Sequence, residues 1–173
     1  VIPETSKRWC EKTPKNIHFF GRLLKELQDN VRLIHIVRDG RDVITSHHPD
    51  RAFDFHIPVQ RWIDETKIGL EWKDHPQVFT LRYEDLVRNF KKTMKPLLEF
   101  LNEEWTSEVE LWYHKTQIRQ HDAWENGELR PLYTKAIGRW RWPEYADRVD
   151  QLMQSDEAIG ILRELGYLDM AYD

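Results

Sequence analysis

The sequence predicts an α/β domain in which a parallel sheet lies between two layers of helices. Two observations favour this fold class. The run VRLIHIV at residues 31–37 is apolar and rich in β-branched residues, without polar alternation, which is typical of a strand buried on both faces of a parallel sheet. Segments with helical apolar spacing flank this run and a second strand candidate, QVFTLRY at residues 77–83, so helix and strand alternate along the chain.

The length and composition fit one domain. The chain has 173 residues, 40% of them hydrophobic, which is enough for one compact core and short for two. We therefore expect a single domain over residues 1–173. The chain begins with Val1 rather than methionine, in a segment that reads like the middle of a longer sequence, so we expect N-terminal sequence to be missing.

The first three elements are a helix, a strand and a second helix. Thr13 can cap a helix with Pro14 in its first turn, and apolar residues recur at helical spacing to about Gln28. After a turn the chain enters the first strand. Gly40 supplies the loop that follows, and RDVITSHH predicts the start of the next helix, with Ser46 two turns inside it.

The rest of the chain continues the alternation. The apolar spacing from Val59 to Leu70 predicts an amphipathic helix before the second strand, and NFKKTMKPLLEFL from Asn89 predicts another after it, kinked or delayed by Pro96. Further helices are expected over 106–115, 143–153 and 156–165, the last stopped by Gly166. The stretch 117–142 is irregular, and long loops of that kind are usually functional or mobile.

Charge and cysteine content narrow the partners. The formal net charge is −4 and the isoelectric point is near 6.1, so we expect no nucleic-acid partner. Over residues 1–51 basic residues outnumber acidic ones, whereas acidic residues predominate over the rest of the chain taken together, which favours an anionic ligand near the first third. Cys10 is the only cysteine and excludes an intrachain disulfide, in keeping with a cytoplasmic location. No apolar run approaches the roughly 18 to 20 residues of a membrane-spanning helix, so we expect the chain as given to have no membrane partner.

The strongest candidate site begins at Arg38, at the carboxyl end of the first strand. Ligands of parallel α/β sheets bind beyond these strand ends, and a guanidinium there can hold a phosphate through two parallel hydrogen bonds. The hydroxyl of Ser46, eight residues later, could donate a further bond. The alternative is that Arg38 pairs with Asp42 while Ser46 only bonds back to its own helix.

Two other segments place polar groups near the same edge. Lys12 in EKTPKN could bring a positive charge to an anion. The alternative is that Lys12 is a solvent-exposed lysine at the start of a helix, which is the more common case. Tyr83 follows the second strand in LRYEDLV and could lie against a planar base, or could be a core tyrosine.

Together these segments resemble the sulfotransferases that use 3′-phosphoadenosine 5′-phosphosulfate (PAPS). The family's 3′-phosphate signature is an arginine at a strand end followed eight residues later by a helical serine, and VRDGRDVITS matches it through Arg38 and Ser46. KTP upstream, YEDL downstream with a helix ending in FL, and IGRWR near the C-terminus are similar to its bacterial and carbohydrate-acting branches. The resemblance extends from Lys12 to about Tyr167.

The resemblance implies a three-layer, P-loop-like domain and a set of site residues. Arg38 and Ser46 would bind the 3′-phosphate, Tyr83 would lie near the adenine, and Lys12 would lie near the transferring sulfuryl group. The loop TKAIGRWR would pass over the nucleotide, with Gly138 allowing close backbone approach. Its other cofactor-binding residues would be Lys135, Arg139, Trp140 and Arg141. PAPS would be the donor and 3′-phosphoadenosine 5′-phosphate (PAP) the product, with no metal required.

Two features depart from the family pattern. The glycine-containing loop that binds the 5′-phosphosulfate, of the form PKSGTT or PRSGTT, does not occur in this sequence, and neither does a Walker A pattern. The chain therefore resembles the C-terminal two-thirds of a sulfotransferase whose N-terminal strand and loop are missing or truncated. The second departure lies where the cytosolic branch has an Arg-Lys-Gly triplet and this chain has Tyr133, Thr134 and Lys135.

Sulfuryl transfer also requires a base for the acceptor hydroxyl. His18 is the nearest candidate by sequence, although its place one turn into an amphipathic helix also fits a packed or surface histidine.

The function implied by the resemblance is sulfuryl transfer to a hydroxyl of a carbohydrate or small molecule. The alternatives are a nucleotide-binding remnant without activity and, less favoured, a P-loop small-molecule kinase. The acceptor, the oligomeric state and the choice between cytoplasm and a lumenal domain of a membrane-anchored enzyme stay open.

Overall fold

The computed structural model describes residues 6–48, 51–115 and 132–169. Four short strands and nine α-helices lie in these ranges, together with 3₁₀ turns at 14–19, 28–30, 139–141 and 143–145. The strands are β1 (Leu33–Val37), β2 (His47–His48), β3 (Arg51–Phe55) and β4 (Val78–Arg82). The helices are α1 (Phe20–Leu27), α2 (Gly40–Ile44), α3 (Val59–Glu71), α4 (Tyr83–Arg88), α5 (Phe90–Phe100), α6 (Ser107–Glu110), α7 (Trp112–Lys115), α8 (Ala146–Met153) and α9 (Asp156–Glu164).

The two strands predicted from the sequence form a parallel pair. β1 and β4 are in register from Leu33 opposite Val78 to Val37 opposite Arg82, which confirms the α/β prediction. Because both strands end at the same register position, the next residues of the two strands leave the sheet side by side. These residues are Arg38 and Tyr83.

Helices cover both faces of this sheet. On one face, Leu33 and Val78 pack against buried apolar residues of the first helical segment, Ile17, Phe20 and Leu24. α3 lies on the same face, where Gly69 contacts His35 so closely that a Cβ at Gly69 would lie 2.0 Å from the imidazole. On the opposite face, Phe79 contacts Phe100 of α5, with ring centroids 5.3 Å apart. The three predicted layers are therefore present.

A second core joins the C-terminal helices to the segment after β1. Its buried residues come from α2, α3, α8, α9 and the segment just beyond α9: Ile44, Trp62, Ile63, Leu152, Ala158, Ile161, Leu162 and Tyr167. Trp62 packs against Gly40, where an added Cβ would lie 2.5 Å from the indole. This core therefore fixes the start of α2 relative to the sheet.

The helix predicted after β1 is shorter than the sequence indicates. α2 ends at Ile44, and the prediction that Ser46 is helical is wrong. The hydroxyls of Thr45 and Ser46 donate to the carbonyls of Arg41 and Asp42, at 2.7 and 2.8 Å. The Ser46 carbonyl accepts from His56 N at 2.8 Å, so the chain continues into the antiparallel pair β2–β3 instead of another helical turn. Side-chain bonds of this kind compete with helix continuation.

The other predicted helices are present with altered boundaries. The first is divided into a 3₁₀ turn at 14–19 and α1, and the Thr13 hydroxyl donates to Glu11 rather than capping the helix. α5 begins at Phe90 and runs through Pro96. The helix α4 at YEDLVR was not expected from the sequence. No helix within the described ranges has both the length and the apolar character needed to cross a bilayer.

The C-terminal segment is held to the strand ends by a buried polar network. Glu84 is fully buried, and its two carboxylate oxygens accept from Asp39 N at 3.0 Å and from the Tyr167 hydroxyl at 2.8 Å. Arg41 binds the Asp39 carboxylate at 2.7 Å and also donates to the Tyr167 carbonyl at 2.8 Å. Burial raises the pKa of Glu84, although its hydrogen bonds act in the opposite direction.

The raised pKa of Glu84 predicts a pH-dependent contribution to folding. Above the ordinary value of 4.5 the folded protein retains a proton on Glu84 that the unfolded chain has lost. The contribution of Glu84 to the free energy of unfolding is therefore fully present below pH 4.5 and is lost as the pH rises through the pKa that Glu84 has in the folded protein. We expect the free energy of unfolding of wild type minus that of Glu84→Gln to fall between pH 4.5 and neutral pH, as measured by urea denaturation. A difference that rises over this interval would contradict the raised pKa.

Candidate functional site

Arg38 lies where the sequence predicts, directly beyond β1. Its guanidinium carbon is 4.9 Å from the ring centroid of Tyr83, which begins α4 after β4. Nη2 donates to the Ala136 carbonyl at 2.5 Å. Nε is buried and has no hydrogen-bond partner among the described residues. The structure thus holds a half-buried cation with an unused donor between an aromatic ring and a loop close to the C-terminal helices.

That loop, residues 132–142, is attached to α2 through Asp42. The Gly138 N–H donates to one carboxylate oxygen at 2.7 Å and the Trp140 N–H donates to the other at 3.1 Å. Asp42 is only 2% exposed. Burial raises its pKa, while the two backbone bonds and the charge of Arg38 act to lower it.

The glycine predicted to allow a close approach serves the loop's own turn. Gly138 has φ 78°, in the left-handed region that disfavours other residues. A Cβ there would lie 2.8 Å from the Arg141 guanidinium, which folds back over this position. The missing Cβ at Gly138 therefore leaves room for the Arg141 guanidinium, and a close approach of this backbone to the nucleotide stays a prediction.

The charged side chains of the loop contact aromatic rings. Arg139 donates to the Tyr145 hydroxyl at 3.1 Å, and its guanidinium carbon lies 4.9 Å from the Trp142 ring centroid. Trp140 lies between Arg41 and Arg141, whose guanidinium carbons are 4.0 and 4.7 Å from ring centroids of its indole.

Lys135 of the same loop is exposed. Among the described contacts, Arg38 is bound by the loop backbone, through the Ala136 carbonyl. None of these contacts joins a cationic side chain of the loop to Arg38.

Ser46 lies near this site but bonds to its own segment. Its hydroxyl donates to the Asp42 carbonyl at 2.8 Å, as in the back-bonding alternative considered from the sequence. The other half of that alternative, a pair between Arg38 and Asp42, is not what the structure shows. The Asp42 carboxylate accepts the loop N–H groups, and Arg38 donates to Ala136. Binding of a phosphate by Ser46 stays a prediction that requires its hydroxyl to turn.

The two catalytic candidates lie outside this cluster of contacts. Lys12 is exposed in the segment before the first helix. His18 is on the surface, with Nε2 3.6 Å from the carboxylate of Glu65, which also binds Arg61. No contact among the described residues joins either side chain to Arg38. Their roles near the sulfuryl group and the acceptor stay predictions.

The sequence analysis missed two buried carboxylates, Asp42 and Glu84, that bind backbone N–H groups next to the site. Asp42 was considered only as a partner of Arg38, and Glu84 was not considered. One signal was available, because two aspartates lie among arginines and apolar residues in VRDGRDVI, where burial would require partners for each carboxylate.

Within the described ranges, no cluster of three or more His, Cys, Asp or Glu side chains is placed to hold a metal ion.

Comparison with known proteins identifies relatives of one kind. The model of a family described as "Sulfotransferase family" matches residues 1–107. Sulfotransferase 1E1 of Bos taurus is 30% identical over 100 residues, an alignment that takes in 47% of this chain and 34% of the relative. Sulfotransferase 1A1 of Mus musculus is 27% identical over 113 residues, with 54% of this chain and 39% of the relative aligned. The chain thus spans between a third and two-fifths of the length of these two relatives.

A solved structure shares the fold. The sulfotransferase domain from the curacin biosynthetic pathway superposes with a TM-score of 0.56 and 18% sequence identity, over 88% of this chain and 58% of that domain. Since the match extends over most of this chain, the arrangement of β1, β4 and the surrounding helices is that of a sulfotransferase fold.

A matched pair of glycine substitutions tests the conformation of the loop. Gly138→Ala should destabilise the protein by about 1–2 kcal/mol, because alanine disfavours the left-handed region. Gly160→Ala should stabilise it by about 0.5–1 kcal/mol, because Gly160 lies inside α9 with nothing within 4 Å of an added Cβ. Both values are measured by urea denaturation. A Gly138→Ala variant that is as stable as wild type, or more stable, would show that residue 138 does not need the left-handed conformation.

Proposed function

The chain belongs to the sulfotransferase family, and from this membership we propose that it serves sulfuryl transfer from PAPS to a hydroxyl of a carbohydrate or small-molecule acceptor. PAP would be the second product. The chain spans between a third and two-fifths of the length of the two relatives, and the activity is proposed for the whole protein. It rests on family membership together with the site at the ends of β1 and β4.

The single observation that supports it most is the pairing of Arg38 with Tyr83. A guanidinium with an unused, buried Nε donor lies 4.9 Å from an aromatic ring, beyond the carboxyl ends of adjacent parallel strands. Ligands of parallel α/β sheets bind at such ends. A cation beside an aromatic ring suits a ligand that combines a phosphate with a planar base. A phosphorylated adenosine has both groups.

We assign the nucleotide contacts on this basis. Arg38 would bind the 3′-phosphate through Nε, and through Nη2 once that donor leaves the Ala136 carbonyl. Tyr83 would lie beside the adenine, and Ser46 would turn its hydroxyl from Asp42 to the phosphate. The loop would border the nucleotide with Gly138 and Trp140 at its anchored end and Lys135, Arg139 and Arg141 as sources of positive charge.

The transfer step places two further demands on the protein. The acceptor oxygen attacks the sulfur as the bond to the nucleotide phosphate breaks, so a cation must stabilise the charge that develops on the leaving phosphate, and a base must take the acceptor proton. Lys12 is our proposed cation and His18 our proposed base. We further propose a cytoplasmic location, in keeping with the free and exposed Cys10, with a lumenal domain as the alternative.

Titration calorimetry with two nucleotides that differ only in the 3′-phosphate tests the binding part of this proposal. PAP should bind about tenfold or more tightly than adenosine 5′-phosphate, a difference of about 1.4 kcal/mol or more. Arg38→Ala should cost roughly 2–4 kcal/mol of PAP binding and remove the preference, and Ser46→Ala should cost about 1–2 kcal/mol.

The matched control is Arg32→Ala, which removes an exposed arginine just before the opposite end of β1. Arg32→Ala should leave the preference for PAP unchanged. A preference that survives Arg38→Ala would contradict the assignment of the 3′-phosphate site. Tight PAP binding without product formation from PAPS and acceptor hydroxyls would favour the alternative of a nucleotide-binding chain without activity.

A further inference from the structure

We infer that Asp42 is a positioning residue for nucleotide binding, because it fixes the loop of residues 132–142 beside Arg38. The inference rests on the proposed function for the identity of the nucleotide. The hold on the loop itself rests on contacts within this chain. In this role Asp42 acts through the loop backbone and need not touch the nucleotide.

The first support is the geometry of the Asp42 carboxylate. Each of its two oxygens accepts one backbone N–H, from Gly138 at 2.7 Å and from Trp140 at 3.1 Å. These donors come from residues nearly one hundred positions away in the sequence. A buried carboxylate with both oxygens engaged is a strong and directional anchor, because an unpaired N–H or an unpaired charge at this site would be costly.

The second support is that Asp42 also contacts the other predicted phosphate ligand. Its backbone carbonyl accepts the Ser46 hydroxyl at 2.8 Å, while its side chain holds the loop. Arg38 lies four residues before Asp42 and Ser46 lies four residues after it. One residue of α2 is therefore placed between the two predicted 3′-phosphate contacts and bonded to one of them.

The third support is the surface on which the loop rests. The guanidinium carbon of Arg41, from the same short helix, is 4.0 Å from the Trp140 ring. Arg41 is itself held by the buried Asp39 carboxylate at 2.7 Å. The loop thus docks on groups that are fixed by their own partners, and the Asp42 bonds determine where along this surface Gly138 and Trp140 lie.

The two attachments of the loop differ in what a ligand would do to them. Arg38 donates Nη2 to the Ala136 carbonyl at 2.5 Å, and an anion bound by Arg38 would compete for that donor. The Asp42 bonds involve no group of Arg38. Nucleotide binding should therefore break the bond from Arg38 to the Ala136 carbonyl and leave the bonds from Gly138 and Trp140 to Asp42 in place. The two attachments lie on either side of the turn at Gly138, where φ is 78°.

Asp42→Asn tests this role, because asparagine offers one acceptor oxygen to two N–H donors. Without ligand, trypsin cleavage after Lys135, Arg139 and Arg141 should become about tenfold faster than in wild type, as expected for loss of a buried hydrogen bond to a charged group. Cleavage after Arg61 and Lys67 of α3 should be unchanged and serves as the internal reference. PAP affinity should fall about tenfold in calorimetry.

Two further variants separate the anchor from general destabilisation. Asp64→Asn removes a charge from the surface of α3, where it accepts only from Gln60 within the described contacts, and should match wild type in both measurements. Asp42→Glu keeps the charge but displaces the carboxylate by one methylene group, and should also release the loop. It decides the question should Asp42→Asn fail to fold.

The two measurements keep the two claims separate. Selective loop cleavage together with weaker PAP binding supports the inference. Loop cleavage that does not change, or that rises equally after Arg61 and Lys67, overturns it. PAP affinity that does not change despite a released loop overturns the link to nucleotide binding. Failure of the wild-type chain to bind PAP would overturn the proposed function, whereas the cleavage pattern would still report whether Asp42 holds the loop.

Discussion

The parallel pairing of β1 with β4 is the constraint on which the rest of the structure depends. The register ends both strands at one position, Val37 opposite Arg82, so the next residue of each strand leaves the sheet beside the other. A shift of one residue would reverse the faces of the apolar side chains, which the two covering layers do not allow. The proximity of Arg38 and Tyr83 is therefore a consequence of core packing rather than of a local motif.

Ionisable groups buried behind these strand ends hold the backbone of the site in place. Asp39, Arg41, Asp42 and Glu84 are all buried, and each has defined hydrogen-bond partners. Burial of a charge is unfavourable unless it is paired, so these partners restrict the backbone to one arrangement. The network reaches the C-terminal segment through Tyr167, and thus the last helices contribute to the position of Arg38 although they lie far from it in sequence.

Much of the fold could be predicted from the sequence, since its determinants are local and periodic. The apolar run of β1, the spacing of α3 and the stop at Gly166 are patterns that hold in most contexts. The early end of α2 could not be predicted with them. Helix continuation and side-chain bonding to the backbone differ little in free energy, and the long-range bond from His56 N to the Ser46 carbonyl decides between them.

The candidate site divides in the same way. Arg38 and Tyr83 were predictable because strand ends can be recognised in sequence. The role of Asp42 was not, because a sequence shows only its neighbour Arg38 as a partner, whereas its real partners are backbone N–H groups some one hundred residues away that carry no sequence signal. The directions of Arg139 and Arg141 depend in turn on nearby aromatic rings, Trp142 and Trp140.

The measurement that tests the central claim most directly is a crystal structure of this chain with PAP bound. The account predicts that the 3′-phosphate lies within hydrogen-bond distance of the Arg38 guanidinium, that the adenine lies beside Tyr83, and that the Asp42 bonds to Gly138 and Trp140 are retained. A 3′-phosphate bound away from Arg38, with the Ala136 contact unchanged, would contradict it.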